Sequence, residues 1–441
     1  MSNLVEVELQ KSSMKTSQFT VFIERAESVI IYNTLWNSFL ITDRLHANLL
    51  QRGNCKEEDY ANRSVFKAFR DKKMIVDDTV DEMARIRQTL ERTNEDHAHF
   101  TLVVNPTLAC NFNCWYCYES HQDSATMDGV DIKAIVTLVR QIVARDAIRN
   151  FDIMFFGGEP LLCYEKVIKP ILEAVHLLMM EHEVDFSASI TTNGLLLSKE
   201  RLAFLENHGV KSMQITIDGN KERHNSVRYT KMGSDSYSHI IKNIHDALAC
   251  GIKVSVRLNI SKETNLVARE LLNDFSDLTE KQRDYLAFSV HKVWQEEQSL
   301  HTIVEQIVAE IRGQGYRCAS YFSTPSSIWH TCYADRRNQM TINPRGKIYK
   351  CTACDFSEKH IEGVLSTTGE IRWNSLHEKR MQASPLKVTA CRDCSILPIC
   401  AGGCSQRILE CTNQNECPLG MSTDDKQQYA YRVLAEKLEE L

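Results

Sequence analysis

Between residues 98 and 300 apolar runs alternate with amphipathic segments, and this rhythm constrains the fold more than any other feature of the chain. His99–Val104, Asp152–Phe156, Phe186–Thr191, Ser212–Ile217, Lys253–Leu258 and Tyr285–His291 read as buried strands. Asp131–Ala147, Lys166–Glu183, Lys199–Gly209 and Ser238–Cys250 read as the intervening helices. Gly209 and Gly251 fall just past periodic apolar segments, where helix C-caps belong. Repeated βα units fold as a parallel sheet with helices outside it, and six such units are expected here.

The loop after the first strand carries LACNFNCWYCYES, in which Cys110, Cys114 and Cys117 follow the spacing C-x3-C-x2-C. Three thiolates on one short loop can hold three corners of a four-iron cluster and leave the fourth iron to a small molecule. Structural zinc is the competing reading, but it takes four ligands, commonly from C-x2-C pairs. The chain has 16 cysteines in 441 residues. The N-terminus has no apolar segment of the secretory type, so these cysteines read as metal ligands or redox groups rather than a disulfide scaffold. A formal net charge of −6 argues against a nucleic-acid partner. No apolar run reaches the ~18–20 residues of a membrane span. The expected location is cytoplasmic.

Together with Tyr116, which precedes the third cysteine, this loop resembles that of the radical S-adenosylmethionine (SAM) enzymes. Further segments extend the resemblance. Phe155-Phe-Gly-Gly-Glu-Pro160 matches the GGEP motif at the end of the second strand, and Thr191-Thr-Asn-Gly194 and Thr216-Ile-Asp-Gly219 follow the third and fourth. His224-Asn-Ser-Val-Arg228 is similar to an H-D-x-x-R pattern, with Asn in place of Asp. The resemblance implies a partial (β/α)6 barrel and a SAM site drawn from Tyr116, Gly157, Gly158, Glu159, Thr191, Asn193, Thr216 and Arg228. Arg228 is suited to the SAM carboxylate because a guanidinium offers two parallel donors.

Past Ala319 cysteine density rises. Cys332, Gly346 and Cys351, then Cys391-x2-Cys394-x5-Cys400-x3-Cys404 and Cys417, resemble the seven-cysteine SPASM domain. That domain carries two auxiliary [4Fe–4S] clusters, so three clusters are implied in all. The resemblance gives Cys391, Cys394, Cys400 and Cys417 to the outer cluster and Cys332, Cys351 and Cys404 to the inner one. Cys318 and Cys354 are candidates for the inner cluster's fourth ligand; the other possibility is a position open to substrate. Cys55, Cys163, Cys250 and Cys411 fit no ligand pattern and read as small buried apolar residues.

Residues 18–95 give strands at Phe19–Ile23, Val29–Tyr32 and Phe39–Ile41. Asp43 caps a helix ending near Gly53, and helices follow at Glu57–Lys73 and Asp81–Thr93. This order resembles the winged-helix domain that grips leader peptides by strand addition. Three domains are expected: 1–97, 98–324 and 325–441, the last closed by an amphipathic helix over Asp424–Leu441. The resemblance implies a maturase that forms a thioether or carbon–carbon crosslink in a ribosomally made precursor peptide carrying a leader, with flavodoxin or ferredoxin as electron donor. Thr352 stands where sulfatase maturases place an Asp base. Two other readings stay open. One is a sulfatase-maturase-like or small-molecule dehydrogenase; the other is a non-enzymatic electron carrier or zinc protein.

Overall fold

The structure is a computed structural model that describes residues 13–119, 124–145, 147–230, 235–297, 300–320 and 327–439. The expected boundary at 324/325 lies outside these residues. The chain divides into two compact units. One comprises Met1–Asn94, Pro325–Cys332 and Ala383–Leu441; the other comprises Glu95–Thr324 and Tyr333–Gln382. The cysteine-rich region therefore contributes to both.

In the first unit β1 (Met14–Thr16) pairs with β5 (Ile75–Asp77), and β2 (Thr20–Glu24), β3 (Val29–Asn33) and β4 (Ser38–Thr42) form an antiparallel sheet in that order. Asp43 caps the helix Arg44–Gln51 by accepting the His46 N–H. The helix expected over Glu57–Lys73 is broken into a single turn at Glu57–Asp59 and a helix at Arg63–Asp71. Asn62, with an extended backbone, accepts from Ser64 N–H and starts the second piece. Phe66 and Phe69 pack with Tyr60 beneath it. The closing helix Thr423–Glu439 brings Ala430 and Leu434 into a cluster with Val21, Tyr32 and Cys400.

The second unit is built on an eleven-stranded sheet ordered β12-β11-β10-β9-β8-β7-β6-β13-β14-β15-β16. Its central strands are β6 (His99–Val104), β7 (Asn150–Phe155), β8 (Asp185–Thr192), β9 (Val210–Thr216), β10 (Lys253–Ile260) and β11 (Leu286–Lys292), parallel and in sequence order. This is the partial barrel expected. Two further strands extend it beyond six units. β12 (Arg317–Ser320) joins β11 after the helix His301–Gly313, and β13 (Gln339–Ile342) lies parallel to β6 at the other end. β14 (Lys347–Tyr349), β15 (Gly363–Leu365) and β16 (Ile371–Trp373) continue antiparallel. The helix expected from Lys166 begins as a wide turn at Tyr164–Ile168 before the regular helix Lys169–Glu181.

The period of two within each strand sorts the side chains. On β10, Val254, Val256, Leu258 and Ile260 are buried in the helix-covered core, whereas Ser255 and Arg257 are less buried and face the other way. Full burial of each such apolar side chain contributes on the order of 1.5–3 kcal/mol. The opposite face is thereby left polar, and the cleft described next forms there. Among the described residues no helix is long and apolar enough to cross a membrane.

Candidate active site

The loops at the C-terminal ends of the central strands converge on one cleft with a cavity volume of about 150 Å³. Tyr116, Cys117, Gly157, Gly158, Thr191, Thr216 and Arg228, all singled out in the sequence, line it. Arg257, Asn259, Lys292 and Trp294 line it too; sequence reasoning missed them.

Glycine at 157 and 158 is dictated by close approach. Both have positive φ, +80° and +21°. A Cβ on Gly158 would lie 2.1 Å from the Ala109 carbonyl oxygen, and one on Gly157 would lie 2.9 Å from Asn105 Cβ. The GG turn is thus pressed against the start of the cysteine loop, and Glu159 N–H donates to Ala109 O at 2.8 Å. Gly158 N–H donates to Glu119 Oε2 at 2.9 Å.

Glu159 and Asn193 do not line the cleft. The Glu159 carboxylate is fully buried and is spent on the protein. Oε1 accepts from Leu161 N–H (3.0 Å) and the Thr192 hydroxyl (2.7 Å), and Oε2 accepts from Asn193 N–H (2.7 Å). Burial pushes its carboxyl up, and these donors oppose the shift. Asn193 in turn donates from Nδ2 to Asn111 Oδ1 at 2.7 Å. Both residues therefore brace three loops against one another, and the expected cofactor contact from their side chains is corrected accordingly. The polar atoms facing the cleft come from backbone and neighbouring side chains.

A second buried network holds Tyr116. Its hydroxyl donates to Asp218 Oδ2 and accepts from Arg228 Nη1, the latter at 2.8 Å. Asp218 is fully buried and also accepts from Asn259 N–H at 3.3 Å. Its own N–H meets His224 Nδ1 at 3.3 Å. Burial raises the Asp218 carboxyl and Arg228 opposes it; burial lowers His224 well below its usual value, keeping it neutral. Arg228 lies over the Phe112 ring, and its buried Nε has no partner among the described residues. A guanidinium so placed keeps donor capacity for an anionic ligand group.

The three cysteines of the loop are half-buried. Burial pushes the Cys110 thiol up to about 12 and raises Cys114 and Cys117, with Arg228 working against the shift at each. Backbone N–H groups face two of the sulfurs, Phe112 N to Cys110 Sγ at 3.4 Å and Glu119 N to Cys117. Beyond the cysteines, Tyr118 stacks on the exposed Trp294 at 4.9 Å and forms an aromatic wall. Its hydroxyl donates to Thr352 O at 3.1 Å.

In the other unit Cys391, Cys394, Cys400 and Cys417 line one small cavity with Leu397, Met421 and Lys426. Gly402 and Gly403 direct their N–H groups at Cys400. Burial, with the neighbouring thiols adding to it, pushes Cys391 up to about 12. Of the remaining predicted ligands, Cys332 and Cys404 belong to this unit and Cys351 to the barrel unit. Among the described residues no three His, Cys, Asp or Glu side chains close tightly enough for a single metal ion. The donor sets at the cleft and at this cavity, thiols around open space, have the chemistry of cluster ligands.

The family model of the Radical SAM superfamily matches residues 104–275. The radical SAM cyclopropyl synthase TigE of Paramaledivibacter caminithermalis is 23% identical over 409 residues, covering 85% of this chain and 82% of that protein. The serine-type anaerobic sulfatase-maturating enzyme of Klebsiella aerogenes is 22% identical, covering 70% of this chain and 80% of that protein. Among solved structures, native anSMEcpe with bound AdoMet superposes with a TM-score of 0.56 at 20% identity, over 77% of this chain and 99% of that one. Streptococcus suis SuiB bound to precursor peptide SuiA gives 0.50 at 16% identity, over 91% of this chain and 98% of that one.

Proposed function

With residues 104–275 matching the family model of the Radical SAM superfamily, we propose that this chain binds SAM in the barrel cleft, cleaves it reductively and uses the radical to oxidise a peptidyl substrate. The observation that carries this reading is the convergence of the cysteine loop, the GG turn and Arg228 on one cleft. When bound on Cys110, Cys114 and Cys117, a [4Fe–4S] cluster supplies the electron that splits SAM to methionine and a 5′-deoxyadenosyl radical. The protein's share is positioning. Backbone groups of Gly157 and Gly158 would hold the amino-acid end of SAM, Arg228 would pair its carboxylate, and Thr191 and Thr216 would offer hydroxyls. Tyr116 is fixed by Asp218 and Arg228, and the stacked Tyr118–Trp294 pair walls one side of the cleft.

A peptidyl substrate is supported by the sulfatase-maturating relatives and by a structure bound to its precursor peptide. Two finer readings follow. Oxidation of a residue in a sulfatase-like protein draws on the sulfatase-maturating relatives, whose matches cover 70% and 69% of this chain. Crosslinking of a ribosomal precursor draws on the first unit: SuiB is matched over 91% of this chain, and β4 is an edge strand of a three-stranded sheet among the described residues, the kind of element that strand addition extends. Auxiliary clusters on Cys391, Cys394, Cys400 and Cys417, and on the set containing Cys332, Cys351 and Cys404, belong to both readings. For the second set the support is the motif spacing. A flavodoxin or ferredoxin would deliver the electron.

The test is anaerobic purification, iron and sulfide counting, and incubation with SAM and dithionite. About twelve irons per chain, three cubanes, and formation of 5′-deoxyadenosine are expected; neither would be seen if the cysteines hold zinc. Sulfatase-derived and leader-bearing peptides then separate the two finer readings by which one raises deoxyadenosine formation.

A further inference from the structure

Three buried cations of the barrel unit are answered by acceptors of the protein. Arg380 Nε donates to the Glu362 carboxylate at 2.7 Å, Lys350 Nζ to the Gln339 carbonyl at 2.6 Å, and Arg228 Nη1 to Tyr116 beside Asp218. Arg257 on β10 differs. It lines the barrel cleft, and its side chain makes one hydrogen bond among the described residues, from Nε to Asn259 Oδ1 at 3.0 Å. Its terminal nitrogens have no acceptor and no carboxylate partner among the described residues. Glu119, the acidic side chain that lines the same cleft, accepts from Gly158 N–H instead.

A charge taken out of water without a countercharge is costly, and burial works against the charged form of Arg257. The charge persists, because a guanidinium does not give up its proton in proteins. Its field reaches the next strand, where burial and then Arg257 push His291 down to about 3. Position is set by the strand. Arg257 and Asn259 are two residues apart on β10 and share its polar face. The Arg257 carbonyl accepts from Ile217 N–H at 2.9 Å, and Asn259 N–H donates to Asp218 at 3.3 Å. Because Asn259 Oδ1 accepts from Arg257, Asn259 Nδ2 is left as a donor, and it too has no acceptor among the described residues. Both residues line the cleft. A guanidinium fork with an amide donor beside it suits a planar carboxylate.

We propose that Arg257 and Asn259 form a carboxylate subsite of the cleft, separate from Arg228, which selects a peptidyl substrate bringing a carboxylate on a side chain or at its C-terminus. This rests on the proposed function for the cleft as the place where substrate binds. The test reads binding and needs no turnover.

The full chain, anaerobically purified and iron-loaded, is titrated calorimetrically with SAM present and no reductant. The probes are acetyl-Gly-Glu-Gly-amide, acetyl-Gly-Gln-Gly-amide and acetyl-Gly-Gln-Gly with a free C-terminus. A carboxylate-bearing peptide is expected to bind about tenfold or more tighter than the neutral one, and which of the two does so identifies the source of the carboxylate. Arg257→Gln is expected to abolish that preference and to leave SAM affinity, measured by equilibrium dialysis, unchanged. If Arg257→Gln loses its circular dichroism, Asn259→Asp decides: a carboxylate built beside the guanidinium should remove the preference, and an undiminished preference overturns the proposal. The proposal also falls if the parent binds none of the peptides, if the neutral peptide binds as tightly as the others, or if the preference survives Arg257→Gln. It falls equally if Arg257→Gln weakens SAM about tenfold or more, since SAM's own carboxylate is then the occupant. Absence of 5′-deoxyadenosine in the separate assay with dithionite would overturn the proposed function and leave these binding outcomes intact.

Discussion

Replacing Gly158 with Ala tests whether the GG turn is there for its backbone freedom or for its closeness to the cysteine loop. Gly251 provides the comparison. Both have positive φ, +21° and +80°, but a Cβ on Gly251 meets nothing within 4 Å, whereas one on Gly158 would sit 2.1 Å from Ala109 O and 2.7 Å from Ala109 C. The conformational cost for an L-residue is about 1–2 kcal/mol; it applies to both variants and is the whole cost of Gly251→Ala. Gly158→Ala adds an overpacking cost of roughly 1–3 kcal/mol, and the atoms it meets are backbone, which cannot rotate away. At about 2–4 °C per kcal/mol for a unit of this size, Gly251→Ala should lower the melting temperature of the anaerobic protein by about 2–8 °C. Gly158→Ala should lower it by a further 2–12 °C or so. The clash can be relieved by moving the turn off the cysteine loop, which carries the Gly158 N–H away from the cleft. SAM affinity measured by equilibrium dialysis should then fall by about tenfold or more, equivalent to ~1.4 kcal/mol, in Gly158→Ala and stay unchanged in Gly251→Ala. Equal melting temperatures and equal SAM affinities in the two variants would refute the close-approach argument.

Asp218→Ala leaves the buried Arg228 guanidinium without its countercharge and should cost roughly 3–5 kcal/mol, read by urea denaturation of the iron-loaded protein; a change within error would show that Arg228 is solvated. Glu159→Gln turns one acceptor oxygen into a donor facing either Asn193 N–H or Leu161 N–H, so stability should drop by about 1–3 kcal/mol, with SAM affinity weakened through the displaced loop. His291 is pushed down from 6.5 to about 3 by burial and by Arg257. The unfolded chain therefore binds the extra proton first, and stability, full above pH 6.5, is lost as pH falls from there toward 3. His291→Gln should flatten that acid limb in a melting-temperature series, and an unchanged slope would place the acid sensitivity elsewhere. Cys400→Ser should remove about four irons, one cubane, from the purified enzyme while the barrel cluster's SAM cleavage persists.

The six central strands were legible because each is an apolar run long enough to cross a sheet buried beneath helices. β12 and β13 were not, since Arg317–Ser320 and Gln339–Ile342 are four residues each and include polar side chains that the fold buries, such as Gln339 and Thr341. The site was legible where chemistry dictates residue type: the cysteines, the paired glycines and Arg228. Arg257 and Asn259 were overlooked because Lys253–Leu258 was read as one apolar run. The alternation within KVSVRLNI, with Ser255, Arg257 and Asn259 at every second position, is the signal that could have found them. Glu159 and Asn193 were placed correctly in their loops, yet nothing in a motif tells a carboxylate that binds a ligand from one consumed by its own backbone.

The pairing of β13 with β6 has a consequence for how the chain is made. Leu102 and Val104 on the strand that leads into the cysteine loop are paired on one side by β7 and on the other by Met340 and Ile342, which lie far downstream. At about 5–20 residues per second a ribosome needs on the order of 10–50 seconds to reach them. Throughout that interval the nascent barrel presents an unpaired apolar edge at its first strand, a template for pairing with another chain. The protein therefore asks most of cellular chaperones late in its synthesis, after most of the barrel has been made, and truncation just before Gln339 would yield a chain with most of its barrel strands and an adhesive edge.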